Sequence, residues 1–450
     1  MGTTAHPFVP ATLLAEVDDM TVSSIAFLFV GLLAGVFAFI GLLSAVKGTP
    51  VHSVGALPAG NQPGVDSPAF RDAMVLVSKT SLAPGHAIEI FTNGDETYPP
   101  LWDDLRAARE SITLQMYYCE AGGMADMLRE ILVERAGAGI CVMMLYDAFG
   151  TSFPDEYITA LKSAGVQAVS FRPLHLKGAR TMQNRAHMRV VCIDGRIGYT
   201  GGFGISDKWF GNGRDPDQWR DTNVRFTGPA VRQLQAGFVA CWAEATGKLL
   251  IGDILFPALS PEVSSNGGAI AGLLHCSPSI GSTEAERFFA LSIASARKRL
   301  YITNSYFVPD KEFRTMIADA ARRGVDTRVL TAGMSSDVKS TLYASRARYE
   351  ELLEAGVRIY EYRRTMMHAK TLVVDGLWGA AGSMNADNRS LSFNEETMLM
   401  MLDATLGASL ERHFMDDITR ADEIDLATFR KRGAMDRLKE HATHLTWRVL

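Results

Sequence analysis

The feature that most constrains the fold is a motif that occurs twice, each time beginning with a histidine followed by a basic residue. The first copy is "HMRVVCIDGRIGYTGGFG" (187–204) and the second is "HAKTLVVDGLWGAAGSMN" (368–385). Both copies keep the same spacing from the histidine to the aspartate and to the glycine turn. A repeat of this kind predicts two related structural units in one chain, each presenting the same set of side chains.

The residues between the motifs repeat the same order of helix-like and strand-like patterns. Apolar segments such as "SITLQMYY" (111–118) and "ICVMMLYD" (140–147) are typical of buried strands, and amphipathic helical patterns alternate with them. Alternation of this type predicts an α/β fold in which helices cover the sheets. We expect a first domain over 86–260 and a second over 268–450, related by a pseudo-twofold axis.

The N-terminal region has a different composition. Thr21–Val46 contains 26 residues without a charge, which is long enough to cross a bilayer as a helix. Residues 1–20 lack Lys and Arg, so the segment does not resemble a cleaved signal peptide. We predict a tail over 1–20, a transmembrane helix over 21–46 and a Gly/Pro/Ser-rich linker over 47–85; a buried helix of a soluble protein is the alternative for the apolar segment.

The overall charge and the cysteines exclude several classes of protein. The chain has 45 Lys and Arg against 50 Asp and Glu, which argues against a generally basic nucleic-acid-binding protein. Its five cysteines are scattered without a C-x-x-C pair, so they indicate neither a disulfide framework nor a zinc site. We find no carboxylate cluster suited to a metal and expect the protein to need no cofactor.

The motif residues suit phosphodiester chemistry. Side chains two apart in an extended segment share a face, so His187 lies beside Arg189 and His368 beside Lys370. One imidazole can attack phosphorus while the other protonates the leaving alcohol, and the cations stabilise the phosphoryl oxygens. The motif aspartates, at odd offsets before a glycine, are expected to hold a turn; they are Asp194 and Asp375.

The complete pattern, H-x-K-x-x-x-x-D followed by G-[GS]-x-N, resembles the signature of the phospholipase D superfamily. Segments such as "WRDTNVRFTGPAV", "TNSYFVPD" and "GSMNADNRS" are similar to the bacterial cardiolipin synthase branch, and the resemblance extends from about residue 88 to the end. It implies two tandem phospholipase D-like α-β-α repeats with mixed sheets. The expected position is the bacterial inner membrane, single-pass, with the catalytic part in the cytoplasm, as Lys47 after the apolar segment also indicates.

The resemblance assigns the catalytic roles. His187 is expected to be the nucleophile, and His368 the general acid and later the base. A carboxylate some 25 to 35 residues after each histidine orients that histidine in the family, which points to Asp221 for the first half and Glu396 for the second.

The resemblance also implies phosphate-binding residues, with two departures from the family pattern. Asn385 matches the asparagine that helps to hold the phosphate, and Ser383 and Gly202 occupy the small positions of the turns. Arg189 stands where the family has lysine, and Gly204 stands where it has asparagine. Backbone N–H groups of "TGGFG" are candidates to replace that missing amide.

The resulting functional hypothesis is a membrane-anchored phosphatidyltransferase. It would form cardiolipin from phosphatidylglycerol and a second phospholipid, with phosphatidylethanolamine as a further candidate substrate. A hydrolytic phosphodiesterase or nuclease of the same superfamily is the alternative, and a non-catalytic lipid-binding scaffold is a third hypothesis. Trp209, Phe210 and Trp219 are candidates for a lipid-facing mouth, with ordinary packing as the alternative.

Overall fold

The computed structural model describes residues 24, 27–32, 34–35, 50–58, 62–173, 184–258, 268–278 and 283–444. The chain divides into two compact units, Met1–Gly48 and Thr49–Leu450. In the first unit the described residues are helical, but most of the predicted transmembrane segment Thr21–Val46 lies outside the described residues. Among the residues that are described, no helix combines the length and apolar character that a bilayer crossing requires.

The second unit is built from alternating strands and helices. Its described strands are β1 (Ala83–His86), β2 (Ile88–Thr92), β3 (Ser111–Met116), β4 (Cys119–Glu120), β5 (Cys141–Asp147), β6 (Thr151–Ser152), β7 (Gln167–Phe171), β8 (Val190–Ile193), β9 (Ile197–Gly201), β10 (Thr222–Thr227), β11 (Ala269–Cys276), β12 (Arg299–Asn304), β13 (Asp326–Ala332), β14 (Arg358–Tyr362), β15 (Lys370–Val374), β16 (Trp378–Gly382), β17 (Glu396–Leu402) and β18 (Ala421–Glu423). Its described helices are α1 (Pro68–Ser78), α2 (Asn93–Ala107), α3 (Gly123–Gly137), α4 (Asp155–Ser163), α5 (Ala230–Thr246), α6 (Glu284–Ala294), α7 (Lys311–Arg322), α8 (Lys339–Arg346), α9 (Tyr349–Glu354), α10 (Asn388–Ser392), α11 (Ala404–Ile418), α12 (Leu426–Arg430) and α13 (Ala434–His444).

Two large mixed sheets organise this unit. The seven-stranded sheet has the order β2-β10-β9-β8-β3-β5-β7, and the nine-stranded sheet has the order β1-β11-β17-β16-β15-β12-β13-β14-β18. In each, one run is parallel (β3, β5 and β7; β12, β13 and β14) and the strands next to the motifs are antiparallel. The predicted α/β class with mixed sheets is therefore confirmed.

The parallel strands lie in the core, and the residues that follow them lie at one end of the sheets. Every residue of β3 is buried, as expected for a parallel strand that is covered on both faces. The helix α7 shows how the covering elements are built: Asp310 caps its start through the N–H of Phe313, and Phe313 and Ile317 are buried on its inner face. Tyr117 directly follows β3, and Ser305 directly follows β12.

The two motif aspartates hold equivalent turns at the far ends of these strands. Asp194 and Asp375 both adopt a left-handed backbone conformation, with φ of 52° and 55°. Each carboxylate accepts hydrogen bonds from three consecutive backbone N–H groups at the start of the neighbouring parallel strand. The donors are Arg109, Glu110 and Ser111 for Asp194, and Arg297, Lys298 and Arg299 for Asp375.

The structure differs from the sequence interpretation in two places. The predicted linker over 47–85 contains the helix Pro68–Ser78, whose Phe70 and Met74 are fully buried in the core of the nine-stranded sheet. Regular strands begin at Val190 and Lys370, after the motif histidines instead of at them. The composition of 47–85 suggested a flexible linker, because the few apolar residues of one short helix do not outweigh the Gly and Pro residues around it.

We predict that Asp194→Ala lowers the free energy of unfolding by about 2 kcal/mol, because it leaves three backbone N–H groups without their charged acceptor. Urea unfolding followed by tryptophan fluorescence measures the loss. Asp194→Asn is the matched control, since asparagine tolerates positive φ and keeps one acceptor oxygen. An unchanged unfolding midpoint for the alanine variant would contradict the structural role.

Candidate active site

The two motifs meet at one cavity of about 440 Å³. His187 and His368 both line it, together with Arg189 and Asn385. The other walls come from the segments that follow the parallel strands, including Tyr117, Tyr118 and Tyr306. The structure thus brings together motif residues that are 181 positions apart in the chain.

Each imidazole is paired with the carboxylate that follows the other histidine. His187 Nδ1 lies 2.9 Å and 3.1 Å from the two oxygens of Glu396, and His368 Nδ1 lies 2.8 Å from Asp221 Oδ2. The pairing expected from the sequence, with each histidine held by its own half, is therefore wrong. The residue types were correctly singled out, but their partners are exchanged between the two sheets.

Backbone hydrogen bonds between the sheets explain the exchange. Arg220 donates its N–H to the carbonyl of Met366 (2.9 Å) and accepts from the N–H of His368 (2.7 Å), so the next residue, Asp221, lies beside His368. The N–H of Glu395 donates to the carbonyl of Arg185 at 2.9 Å, which brings the following glutamate beside the first motif. Sequence separation carried no information about these contacts.

The His187–Glu396 pair is buried, and burial disfavours the charged form of both partners. Burial raises the pKa of Glu396 to about 7, against the hydrogen bond from Ser383. Burial, together with the nearby charges of Arg189 and Lys370, lowers the pKa of His187 well below its ordinary value. A neutral imidazole with Nδ1 on the glutamate leaves Nε2 available as a nucleophile.

The His368–Asp221 pair has a more strongly charged carboxylate and an aromatic enclosure. Burial opposes ionisation of Asp221, but its interactions with His368 and with Lys370 hold its pKa below the usual value. Trp209 donates its indole N–H to Asp221 at 2.8 Å, and the rings of Trp209 and Trp219 lie 5.3 Å and 5.1 Å from that of His368. Burial and Lys370 lower the pKa of His368 to about 3, although the Asp221 charge favours the imidazolium.

The two tryptophans that were proposed for a lipid-facing mouth line the cavity itself. Trp209 and Trp219 are 2% and 9% exposed and pack on His368, whereas Phe210 is 51% exposed. Ordinary packing does not describe them fully either, because Trp209 donates a hydrogen bond to the carboxylate of Asp221.

The two motif cations occupy equivalent positions and have different surroundings. Lys370 bonds to the carbonyl of His368 and to Ser305 Oγ (2.8 Å), and burial lowers its pKa to about 7. Arg189 bonds to the carbonyl of His187 and, through Nε, to the carbonyl of Phe203 at 3.1 Å. Both side chains are almost fully buried, so their charges act in a medium of low polarity.

The arginine at position 189 is explained by a second difference between the two halves, at the position that contacts it. Tyr117 follows β3 at the place where Ser305 follows β12. The Tyr117 ring lies 4.9 Å from the His187 ring and 5.8 Å from the Arg189 guanidinium carbon. Arginine with tyrosine thus replaces the lysine with serine of the other half, and a planar guanidinium suits an aromatic neighbour better than an ammonium does.

Of the three predicted phosphate-binding residues, only one lines the cavity and has a side-chain polar atom without a hydrogen-bond partner in the described ranges. Asn385 lines it, and its Oδ1 has no hydrogen-bond partner among the described residues. Ser383 instead donates its hydroxyl to Glu396 at 2.5 Å. The N–H of Gly202 donates to Asn223 Oδ1 at 3.1 Å, and a Cβ at this glycine would lie 2.3 Å from an oxygen of Asp221.

The phosphate-binding expectation for Ser383 and Gly202 is therefore corrected: the first supports a carboxylate and the second gives a carboxylate room. The glycine at position 204 has a steric cause, since a Cβ there would lie 2.9 Å from the Trp209 ring and from the Tyr118 carbonyl. Phe203 N–H also bonds to Asn223, so the proposed replacement of the missing amide by "TGGFG" N–H groups fails for Gly202 and Phe203.

A group with metal-binding side chains lies next to the site. Ligand atoms of Cys241, His275 and Glu395 fall within 4.8 Å of one another in the described part of the chain. Glu395, however, already accepts from Arg172 (2.9 Å) and from Ser277 (2.6 Å), and none of the three lines the catalytic cavity. We assign the group to the support of the segment that carries Glu396.

Several residues of the cavity were missed in the sequence. Tyr117, which lines the cavity, and Ser305, which accepts a hydrogen bond from Lys370, could have been found, because they occupy equivalent positions directly after β3 and β12. Asp387 caps α10 through the N–H of Ser390 and lines the cavity, where burial raises its pKa to about 7. Nothing in its sequence context distinguishes it from an ordinary helix cap.

Fold and site together define an enzyme of the phospholipase D superfamily. The structure of phosphatidylserine synthase from Haemophilus influenzae Rd KW20 superposes with a TM-score of 0.64, at 13% identity, covering 85% of this chain and 99% of that one. Polyphosphate kinase from Porphyromonas gingivalis superposes with a TM-score of 0.52, at 13% identity over 80% of this chain and 53% of that one. At these identities the likeness supports the fold alone.

Sequence relatives define the family more closely. A family model described as "Cardiolipin synthase, PLD-like domain" matches residues 291–418. The chain is 35% identical over 373 residues to a cardiolipin synthase of Geobacillus sp. (strain WCH70), covering 82% of this chain and 73% of that relative. It is 33% identical over 363 residues to cardiolipin synthase 2 of Bacillus anthracis, covering 80% and 69%. The chain belongs to the cardiolipin synthase family and is an enzyme of the phosphatidyltransferase type.

We predict that kcat/KM falls as the pH rises above about 7, because Lys370 then loses the positive charge that it holds next to His368. Arginine stays protonated throughout this range, so Lys370→Arg should move the alkaline limb upward by roughly one pH unit or more. A pH–rate profile measures both. An alkaline limb that stays in place in the arginine variant would contradict the assignment.

We predict that Arg189 and Tyr117 act as a pair. Arg189→Lys and Tyr117→Ser should each lower kcat/KM, since each leaves its neighbour without a matching partner. The double variant reproduces the lysine and serine of the other half. Its kcat/KM should be roughly five times higher than the value expected if the two single effects simply multiplied, which corresponds to a coupling free energy of about 1 kcal/mol. A double-mutant cycle measures this, and strict additivity would contradict the pairing.

Proposed function

We propose that the protein forms cardiolipin by phosphatidyl transfer through a phospho-histidine. The observation that carries the proposal is a single cavity with two imidazoles, each fixed by a buried carboxylate through Nδ1. This arrangement leaves two Nε2 atoms for the reacting groups, one for attack and one for proton transfer.

In the first step, His187 Nε2 attacks the phosphorus of phosphatidylglycerol and forms a P–N bond. The P–O bond to glycerol breaks, and His368 gives its proton to the departing oxygen. Arg189 and Lys370 stabilise the charge on the phosphoryl oxygens, and Asn385 is available to donate its amide.

In the second step, a headgroup hydroxyl of another phospholipid attacks the same phosphorus. His368, now neutral, accepts the hydroxyl proton, and the P–N bond breaks to release His187. With phosphatidylglycerol as acceptor the product is cardiolipin. With water as acceptor the same steps give phosphatidic acid, so the transfer requires that the acceptor lipid compete successfully with water.

The different carboxylates support the assignment of the two histidines. Asp221 has a lowered pKa and its negative charge favours a protonated His368, as a general acid requires. Glu396, whose pKa is raised to about 7, gives His187 less support as an imidazolium and leaves it neutral for attack. An anionic phosphodiester in the cavity favours the imidazolium form of His368, so that His368 takes up a proton from solvent as the substrate binds and then gives it to the leaving oxygen.

The proposal includes the membrane and the internal duplication. We infer that Thr21–Val46 anchors the protein in the bacterial inner membrane as a single span, with residues 49–450 in the cytoplasm; tethering concentrates the enzyme where donor and acceptor lipids are. Seven strands follow an equivalent order in both sheets, with β1 and β18 added at the edges of the larger one, and this supports two tandem repeats related by a pseudo-twofold axis. Exchange of carboxylates between the halves is what such a symmetry produces.

The test uses the full chain in mixed micelles with phosphatidylglycerol, and mass spectrometry identifies the products. We expect cardiolipin and free glycerol, both absent from His187→Ala. Phosphatidic acid as the sole product would make the protein a hydrolase, and cleavage of DNA without lipid turnover would make it a nuclease.

A second measurement separates the two histidines. An alkaline quench should trap the phosphatidyl group on the peptide that contains His187 in His368→Ala, which forms the adduct slowly and cannot activate the acceptor. Asp194→Asn is the control for general damage, because Asp194 holds a turn outside the cavity and the variant removes no group that lines it. An adduct found on His368 in the unmodified chain would reverse the assignment.

A further inference from the structure

We propose that the rim of the cavity is a docking surface for an anionic phospholipid bilayer. Two apolar side chains, Phe149 and Met334, would enter the bilayer, and the basic residues Lys339, Arg363 and Arg364 would lie at its headgroups. The inference rests on the proposed function for its lipid substrate and adds the face by which the protein meets that lipid.

The two apolar residues occupy equivalent positions in the fold. Phe149 is the second residue after β5, and Met334 is the second residue after β13. Their loops continue into the cavity wall, through residues 150–152 in one case and through Asp337 and Val338 in the other. Two large apolar side chains thus stand at the edge of one catalytic cavity.

Both side chains are turned outward and their loops are fixed. Phe149 is 64% exposed and Met334 is 57% exposed. Asp147 accepts the N–H of Phe149 at 2.8 Å, and Lys339 donates its ammonium to the carbonyl of Met334. The Phe149 ring lies 5.8 Å from the Arg185 guanidinium carbon and lines the cavity, and the exposed part of each apolar side chain gains free energy on entering hydrocarbon.

Basic side chains surround the Met334 loop. Lys339 and Arg364 are exposed, and Ser335 Oγ holds the adjacent Arg363 carbonyl at 3.0 Å. Two acids also lie on this side, where Asp337 accepts the Tyr306 hydroxyl at 2.8 Å and Asp422 lies 3.4 Å from Arg363, so the three basic residues exceed the acids by one. The charge balance favours a negatively charged surface.

The size of the cavity indicates that the lipid substrate is bound while its acyl chains remain in a bilayer. A volume of about 440 Å³ suits a phosphodiester and its headgroup, within the range of small-molecule sites, and leaves no room for two long acyl chains. The chains must therefore stay in the bilayer while the headgroup enters. This requires the rim to lie against the bilayer surface.

The chain offers a matched control on the opposite end of the same sheet. Ile251 is 84% exposed, and its segment is joined to Ser111, the first residue of β3, by a hydrogen bond to the Ile254 carbonyl (2.9 Å). The cavity begins at Tyr117, after the last residue of β3. A strand of this length spans about 20 Å, so Ile251 samples the far face.

The test places a fluorophore on single cysteines in the full chain. Phe149→Cys, Met334→Cys and Ile251→Cys are made in a Cys141→Ser background, since the other four native cysteines are buried. Each is reconstituted into phosphatidylglycerol vesicles that contain nitroxide-labelled phosphatidylcholine. We expect quenching at 149 and 334 that is several times stronger than at 251; labels at 149 and 334 that stay unquenched would overturn the proposal and leave this rim to a protein partner.

An activity ratio gives an independent readout. Met334→Ser should lower the ratio of turnover on bilayer phosphatidylglycerol to turnover on a soluble short-chain analogue by about tenfold, as loss of one buried side chain predicts. Ile251→Ser should leave the ratio unchanged, and an equal ratio in both variants would also overturn the proposal. Absence of any turnover in the unmodified protein would count against the proposed function, while the quenching would still report docking.

Discussion

The exchange of carboxylates between the two sheets is the interaction on which the site depends. Among the residues that the structure describes, neither imidazole has a carboxylate partner from its own half, because Asp221 orients His368 and Glu396 orients His187. Buried carboxylates and cations are costly when left alone, so each half is electrostatically complete only when the other is in place. Assembly of the two sheets and formation of the catalytic groups are therefore one event.

This dependence accounts for the departures from symmetry. Arg189 bonds to the Phe203 carbonyl, whereas Asn304 donates to the equivalent Met384 carbonyl (3.3 Å) in the other half. The position equivalent to Asn304 is Met116, which cannot donate. The longer arginine thus supplies a donor that its own half lacks, and the tyrosine beside it replaces a serine. The first half is not a degraded copy of the second; it satisfies the same backbone groups with other side chains.

Much of the fold and the identity of the reacting groups could be predicted from the sequence. A motif repeated at constant spacing identified His187, His368 and Lys370, and apolar runs identified the buried strands. The partner of each histidine could not be predicted, because backbone pairing between sheets leaves no periodic pattern. The roles of Gly202 and Ser383 were missed for a related reason: room for a carboxylate and room for a phosphate select the same small residues.

The most direct test of the exchange uses the proton between each imidazole and its carboxylate. A strongly hydrogen-bonded Nδ1 proton gives a downfield NMR signal, and comparison with His187→Ala and His368→Ala assigns one signal to each ring. The account predicts that Glu396→Gln removes the His187 signal and spares that of His368, while Asp221→Asn does the reverse. Loss of the His187 signal in Asp221→Asn, with Glu396→Gln leaving it intact, would contradict it.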